Sequence, residues 1–199
     1  MGRPTNVSAR RAQVADAFIG LLADASFEDI TVVAMAKAAG LRPGLVHHYF
    51  ASKEEVLAVA VERMAIQLEV RLAERLRRVG DDPRARIDAF IDAWLALDGS
   101  ADRRAAFAWA AIGDEARRRL DVRAIYSTAI GRGVDRLAED VARLVPPRKR
   151  RARSIAEAIM VAIEGALRVG AGGGLEAGTA APLARRVAAA LLNDAAVRP

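Results

Sequence analysis

Two adjacent histidines followed by a tyrosine, His47-His48-Tyr49, are the residues of this chain whose types first suggest chemistry. They are its only histidines and cysteine is absent, so there is no thiolate nucleophile and no cysteine metal site. Adjacent histidines on a helix point about 100° apart and make a poor metal pair. Residues 58–199 hold no His, no Cys and no nucleophile-plus-base motif, so the sequence offers no catalytic residue and implies neither an enzyme nor a cofactor. Imidazoles, a phenol and the nearby guanidinium of Arg42 do offer hydrogen bonds to a polar partner, with Leu45 as an apolar contact among them.

The elements that must present these groups are short helices. Val14, Phe18, Leu21 and Leu22 fall at helical spacing and predict a first helix from about Ser8 to Ala25. Thr31 is a good N-cap for a second, Val32 to Ala39, which Gly40 ends. Pro43 suits the first turn of a third helix running to about Tyr49. Val32, Met35, Ala36 and Ala39 make one apolar face, and Val46 and Phe50 turn back into the same small core. Arg42, Leu45, His47, His48 and Tyr49 are then left facing outward. Three short helices around a glycine turn have the size of a DNA-reading module.

Ser52 and Glu55, three apart, form a capping box that starts a fourth helix reaching about Val79. Five more helices fit downstream: about Pro83–Leu97, Asp102–Ala111, Asp114–Leu144 with a break near Gly131 or Gly133, Arg151–Val169 and Pro182–Asp194. Pro146-Pro147 forces a turn, and the glycines of 170–174 lack the Lys-Ser/Thr of a phosphate loop. No segment alternates with period two. The expected fold is all-α with about nine helices.

Charge locates nothing by itself. The net charge is +6, yet through residue 56 the cations Arg3, Arg10, Arg11, Lys37, Arg42 and Lys53 are matched by Asp16, Asp24, Glu28, Asp29, Glu54 and Glu55. Arg3, Arg10 and Arg11 read equally as a phosphate-gripping arm or a solvated terminus. The run from Arg148 to Arg153 reads as a solvated loop. With no signal-peptide pattern and no apolar run of membrane-spanning length, a cytoplasmic protein with no membrane partner is expected.

The order Thr31-Val32, Met35-Ala36, Ala39-Gly40-Leu41, Gly44, Val46-His47, Tyr49-Phe50 and Ser52-Lys53-Glu54 resembles the signature of the TetR family of transcriptional regulators. The resemblance covers about residues 10–57. It implies a helix-turn-helix head over residues 1–51 and an effector-binding and dimerisation domain over 52–199, with 52–79 as the linking helix. It also implies that Thr31, Arg42, Pro43, Gly44, Leu45, His47, His48, Tyr49 and Lys53 meet double-stranded operator DNA, Lys53 through a phosphate. Leu45 stands where relatives commonly carry Thr or Ser, and suits a thymine methyl.

Phe90 and Trp94, four apart, share a helix face, and Phe107, Trp109, Tyr126 and Met160 add bulk in the same domain. The resemblance makes these candidates for lining an effector cavity, with Glu164 as the polar contact. On the helix from Arg151, the stripe Ile155, Ile159, Ile163 and Ala166 is expected to dock a partner subunit, joined by Leu183, Val187 and Leu191 on the last helix. The implied function is a homodimeric repressor released from a palindromic operator by a small, largely apolar effector.

Overall fold

A computed structural model describes residues 6–96, 100–145, 149–176 and 178–197. Arg3, Pro146, Pro147 and Arg148, and the expected helix end at Leu97, lie outside them. Among the described residues the chain forms nine helices: α1 (Asn6–Leu22), α2 (Val32–Ala38), α3 (Pro43–Tyr49), α4 (Lys53–Val79), α5 (Pro83–Leu95), α6 (Ser100–Arg118), α7 (Leu120–Ala142), α8 (Lys149–Ala171) and α9 (Ala180–Val197).

The boundary between α6 and α7 is not where the sequence suggests. Helix α6 continues through Gly113 and stops at Arg118, while α7 runs unbroken past Gly131 and Gly133. The stop is made by a side chain from the far side of the corner. Arg123 donates to the carbonyls of Ala116 at 2.9 Å and Arg117 at 2.7 Å, satisfying the last turn of α6.

The chain packs as two compact units. One comprises the residues up to Gln67 with Ala101–Tyr126; the other comprises Leu68–Ser100 with the residues from Ser127 onward. In the first, α1, α2 and α3 pack on one another. Phe18, Met35, Val46, Phe50 and Leu57 are buried within it, as is Ile112 of α6.

In the second unit, α8 packs along α9 and both pack on α5. Gly133 lets α7 approach closely there: a Cβ at that position would stand 2.7 Å from Met160 Cε and 3.2 Å from Phe90 Cζ. Buried Asp140 accepts from Arg86 Nε at 2.7 Å, and Arg143 lies 3.5 Å away. A charge so placed is tolerable because it is paired.

One expected interface face is corrected by this packing. Ile155, Ile159 and Ile163 are buried inside the single chain, at 8%, 0% and 0% exposure. They are core residues and cannot be a docking surface. Helix α8 instead exposes Val161, at 71%, together with Gly165, while Ala166 is half-buried. On α9, Leu183 and Val187 are exposed and Leu191 is half-buried.

Candidate nucleic-acid interface

The helix-turn-helix is assembled from local chemistry that can be followed atom by atom. Ala34 N donates to Thr31 Oγ1 at 3.1 Å, so Thr31 caps α2 from an extended backbone. At the other end, Gly40 takes φ +65, and its N–H reaches Lys37 O while Leu41 N–H reaches Ala36 O at 2.8 Å. That paired closure is a Schellman turn, and it needs a residue free to adopt positive φ. Two residues on, Pro43 opens α3 at a position where no N–H is required.

Helix α3 buries Val46 and exposes Pro43, Gly44, Leu45, His47 and His48, with Arg42 exposed just before it. Tyr49 is half-buried, and the His48 ring meets it edge-on at 5.0 Å. Thr31 is exposed at the start of α2. The sequence-selected groups of α3 thus lie on one outward face, with Tyr49 at its margin. Its exposed nitrogens can donate to phosphates and can donate to or accept from base edges, and Leu45, 41% exposed, can make an apolar contact.

Three long polar side chains fix this face, and none was assigned that role from sequence. Gln13 Nε2 donates to Ala39 O at 2.6 Å, at the C-terminus of α2. Arg11 donates through one terminal nitrogen to Tyr49 O, at the C-terminus of α3, and through the other to Glu55 Oε1 at 2.7 Å. The Arg11 guanidinium also lies 4.3 Å from the centroid of the Phe50 ring. Arg11 is therefore committed inside the head, and Arg10 donates to Gln13 Oε1 at 2.7 Å. Lys53 donates to the carbonyls of Phe27, Glu28 and Ile30. The signal for all three is non-local and appears only once the helices are packed.

The capping box at α4 forms with one shift. Glu55 N–H donates to Ser52 Oγ at 3.2 Å, but the Glu55 carboxylate reaches back to Ala51 N–H at 2.8 Å. That backbone bond, and then the Arg11 side chain, hold the Glu55 carboxyl below the ordinary range.

The residues expected to hold an effector fall into separate groups. Trp109 is buried and Tyr126 half-buried, with ring centroids 5.1 Å apart, and Phe107 is half-buried. Phe90, Trp94 and Met160 are buried core residues of the other unit, with Phe90 and Trp94 ring centroids 6.4 Å apart. Glu164 is half-buried on α8. A groove between α5 and α9 is lined by Arg84, Ile87, Asp88, Arg185 and Leu192, none of which the sequence had suggested. Among the described residues no cluster suits a metal ion, and no helix is long and apolar enough to cross a membrane.

A three-helix head with an outward polar face on its third helix defines a helix-turn-helix protein, and comparison with known proteins gives the family. Residues 9–60 match the profile of bacterial regulatory proteins of the tetR family, and residues 83–193 match the C-terminal profile of BetI-type transcriptional repressors. The chain belongs to the TetR family, a family of transcriptional regulators and not of enzymes.

Similarity to the transcriptional regulator BetI of Stenotrophomonas maltophilia is 35% identity over 83 residues, spanning 42% of this chain and 42% of that protein. The chain therefore matches less than half the length of that relative. BetI of Burkholderia mallei is 26% identical over 93% of this chain and 90% of its own. A transcriptional regulator from Rhodococcus superposes with a TM-score of 0.82 at 24% identity, covering 95% of this chain and 99% of that one. A regulator from Saccharomonospora viridis, solved in complex with choline, superposes with a TM-score of 0.76 at 20% identity over 94% and 95% of the two chains. At such identities it is the fold that is shared.

The lowered carboxyl of Glu55 makes a pH-dependent contribution whose sign is fixed. Its stabilisation is present above the unfolded value of 4.5 and is lost as pH falls through the lower folded value. Glu55→Gln is expected to lower the melting temperature at neutral pH and to flatten the acid limb that begins near pH 4.5. Acid-unfolding curves of equal steepness for the two proteins would show that Glu55 makes no such contribution.

Proposed function

We propose that this protein is a homodimeric, ligand-responsive repressor that binds a palindromic operator through residues 1–51 and responds through 52–199, with 52–79 as the link. The observation that carries the reading is the outward face of α3, where Arg42, Leu45, His47 and His48 are exposed beside a buried Val46. Thr31, Pro43, Gly44 and Tyr49 complete the contact set, with the polar groups gripping phosphates or base edges. A twofold dimer would read half-sites about one helical turn apart, ~34–36 Å. The protein would act in the cytoplasm, where its DNA lies.

Dimerisation is assigned to the strips that α8 and α9 leave open, namely Val161, Gly165 and Ala166 with Leu183, Val187 and Leu191. The small residues Gly165 and Ala166 favour close helix approach. The effector is assigned to Phe107, Trp109 and Tyr126, because two of these three aromatics keep exposed surface. Phe90, Trp94 and Met160 serve the core instead. The choline in the Saccharomonospora viridis neighbour supports a small-molecule ligand, there an organic cation. An aromatic pair also suits a quaternary ammonium through cation–π attraction. A ligand preferring one spacing of the two heads shifts operator affinity only by its differential binding, typically about 1–3 kcal/mol.

Selection of bound sequences from random DNA is expected to return a twofold-symmetric site. On that site His47→Ala should lose about 10- to 100-fold in affinity while remaining a folded dimer. Recovery of no enriched sequence, or full affinity in His47→Ala, would sink the assignment. Val187→Glu should shift the protein from dimer to monomer in size-exclusion chromatography; an unchanged elution volume would place the interface elsewhere. Choline is the first effector probe. It is expected to change Trp109 fluorescence, with Trp94→Phe as background, and to weaken operator binding, and a flat titration to millimolar concentration would exclude it.

A further inference from the structure

Lys53 stands at the start of α4, where the family resemblance implies a phosphate-binding lysine, but its surroundings give it other work. A lysine ammonium carries three donors and no acceptor. Here three carbonyls receive them: Phe27 O at 2.7 Å, Ile30 O at 3.0 Å and Glu28 O at 3.2 Å. All three belong to the connection between α1 and α2. The same nitrogen lies 4.4 Å from the centroid of the Phe27 ring.

That ring is itself a node. Phe27 is 7% exposed, meets Phe18 edge-on at 6.2 Å, and has the Arg119 guanidinium 5.4 Å from its centroid. Arg119 is in turn 3.6 Å from Glu54, the residue after Lys53. Ile30, whose carbonyl Lys53 holds, is 2% exposed and directly precedes Thr31, the cap of α2. The lysine thus ties the first turn of α4 to the segment that decides where α2 begins. Because α2 packs on α3, that tie also bears on how the reading helix is held.

We infer that Lys53 is a positioning residue for operator binding and not a phosphate contact. The inference rests on the DNA-binding reading above. To reach a phosphate, the ammonium would have to abandon three acceptors at once, two of them on buried residues, and withdraw from the ring beneath it. Carbonyls left unsatisfied in a partly buried turn are costly, whereas a phosphate can be met by any exposed donor. The ammonium therefore stays, and its effect on DNA passes through the α1–α2 connection.

Lys53→Arg and Lys53→Gln in the full-length protein separate the two roles. A guanidinium keeps the charge and would preserve a phosphate contact, but its planar fork cannot place donors on three converging carbonyls as an ammonium does. Positioning therefore predicts that both variants lose about tenfold or more in affinity for the selected operator, at a temperature where each is folded. The slope of log affinity against log salt should match that of the wild type. Amide exchange at Ala34 and Met35, the first turn of α2, should quicken in both variants.

A phosphate contact predicts instead that Lys53→Arg keeps its affinity. Lys53→Gln would then lower the salt slope by about one, with exchange in α2 unchanged; that result overturns the inference. Unchanged affinity and unchanged exchange in both variants would overturn it as well. If the wild type binds no selected sequence, it is the functional reading that fails. The exchange measurement then still decides whether Lys53 holds the α1–α2 connection.

Discussion

The last turn of every α-helix leaves carbonyl groups that no residue of that helix can satisfy, and this protein meets many of them with long side chains lent by neighbouring helices. Arg104 donates to Gly20 O near the end of α1, Gln13 to the end of α2, Arg11 to the end of α3, and Arg123 to the end of α6. Lys53 does the same for the connection that follows α1. A cation at a helix C-terminus is favoured by the helix dipole as well as by the hydrogen bond. Each such bond joins two elements, so satisfying one helix end also sets the position of another.

This use of arginine and lysine explains why net charge was a weak guide to function. Arg11, Arg63 and Lys53 of the first unit are engaged with carboxylates or carbonyls of that same unit. In the second unit Arg86, Arg143, Arg153 and Arg185 are paired with Asp140, Asp81, Asp135 and Asp92. Much of the basic composition therefore serves internal closure. What remains for a polyanion around the third helix is Arg42, just before it, with two exposed histidines on it. A reading face of that composition depends on hydrogen-bond geometry more than on bulk attraction.

The parts legible in the sequence were those governed by neighbours a few residues apart. Thr31, Gly40, Pro43 and Ser52 act within one turn of themselves, so their types and spacing were enough to draw the helix-turn-helix. The roles of Arg11, Gln13 and Lys53 were not legible, because their partners lie 38, 26 and about as many residues away. The end of α6 was missed for the same reason: the sequence suggested a stop at Ala111, but the helix runs to Arg118, where Arg123, six residues past Arg117, satisfies its last turn. Helix α8 failed differently. Periodicity put Ile155, Ile159 and Ile163 on one stripe and could not tell whether it faced the chain's own core or a partner, since they have the same hydrophobicity in either setting.

The bonds joining the first unit also differ in strength, and the difference bears on how it can respond. The pairs Arg104–Asp24 and Arg118–Glu28 link α6 to the region around the α1 C-terminus, but their side chains are 48–61% exposed. Exposed pairs of this kind contribute about 0–1 kcal/mol each. The bonds of Arg11, Gln13 and Lys53 are partly buried and end on backbone carbonyls, where loss of a partner costs about 1–3 kcal/mol per group. An effector bias of about 1–3 kcal/mol is enough to release the outer pairs and too small to release the inner set together. On the functional reading proposed above, a bias of that size acts on the outer pairs and leaves the internal geometry of the helix-turn-helix intact.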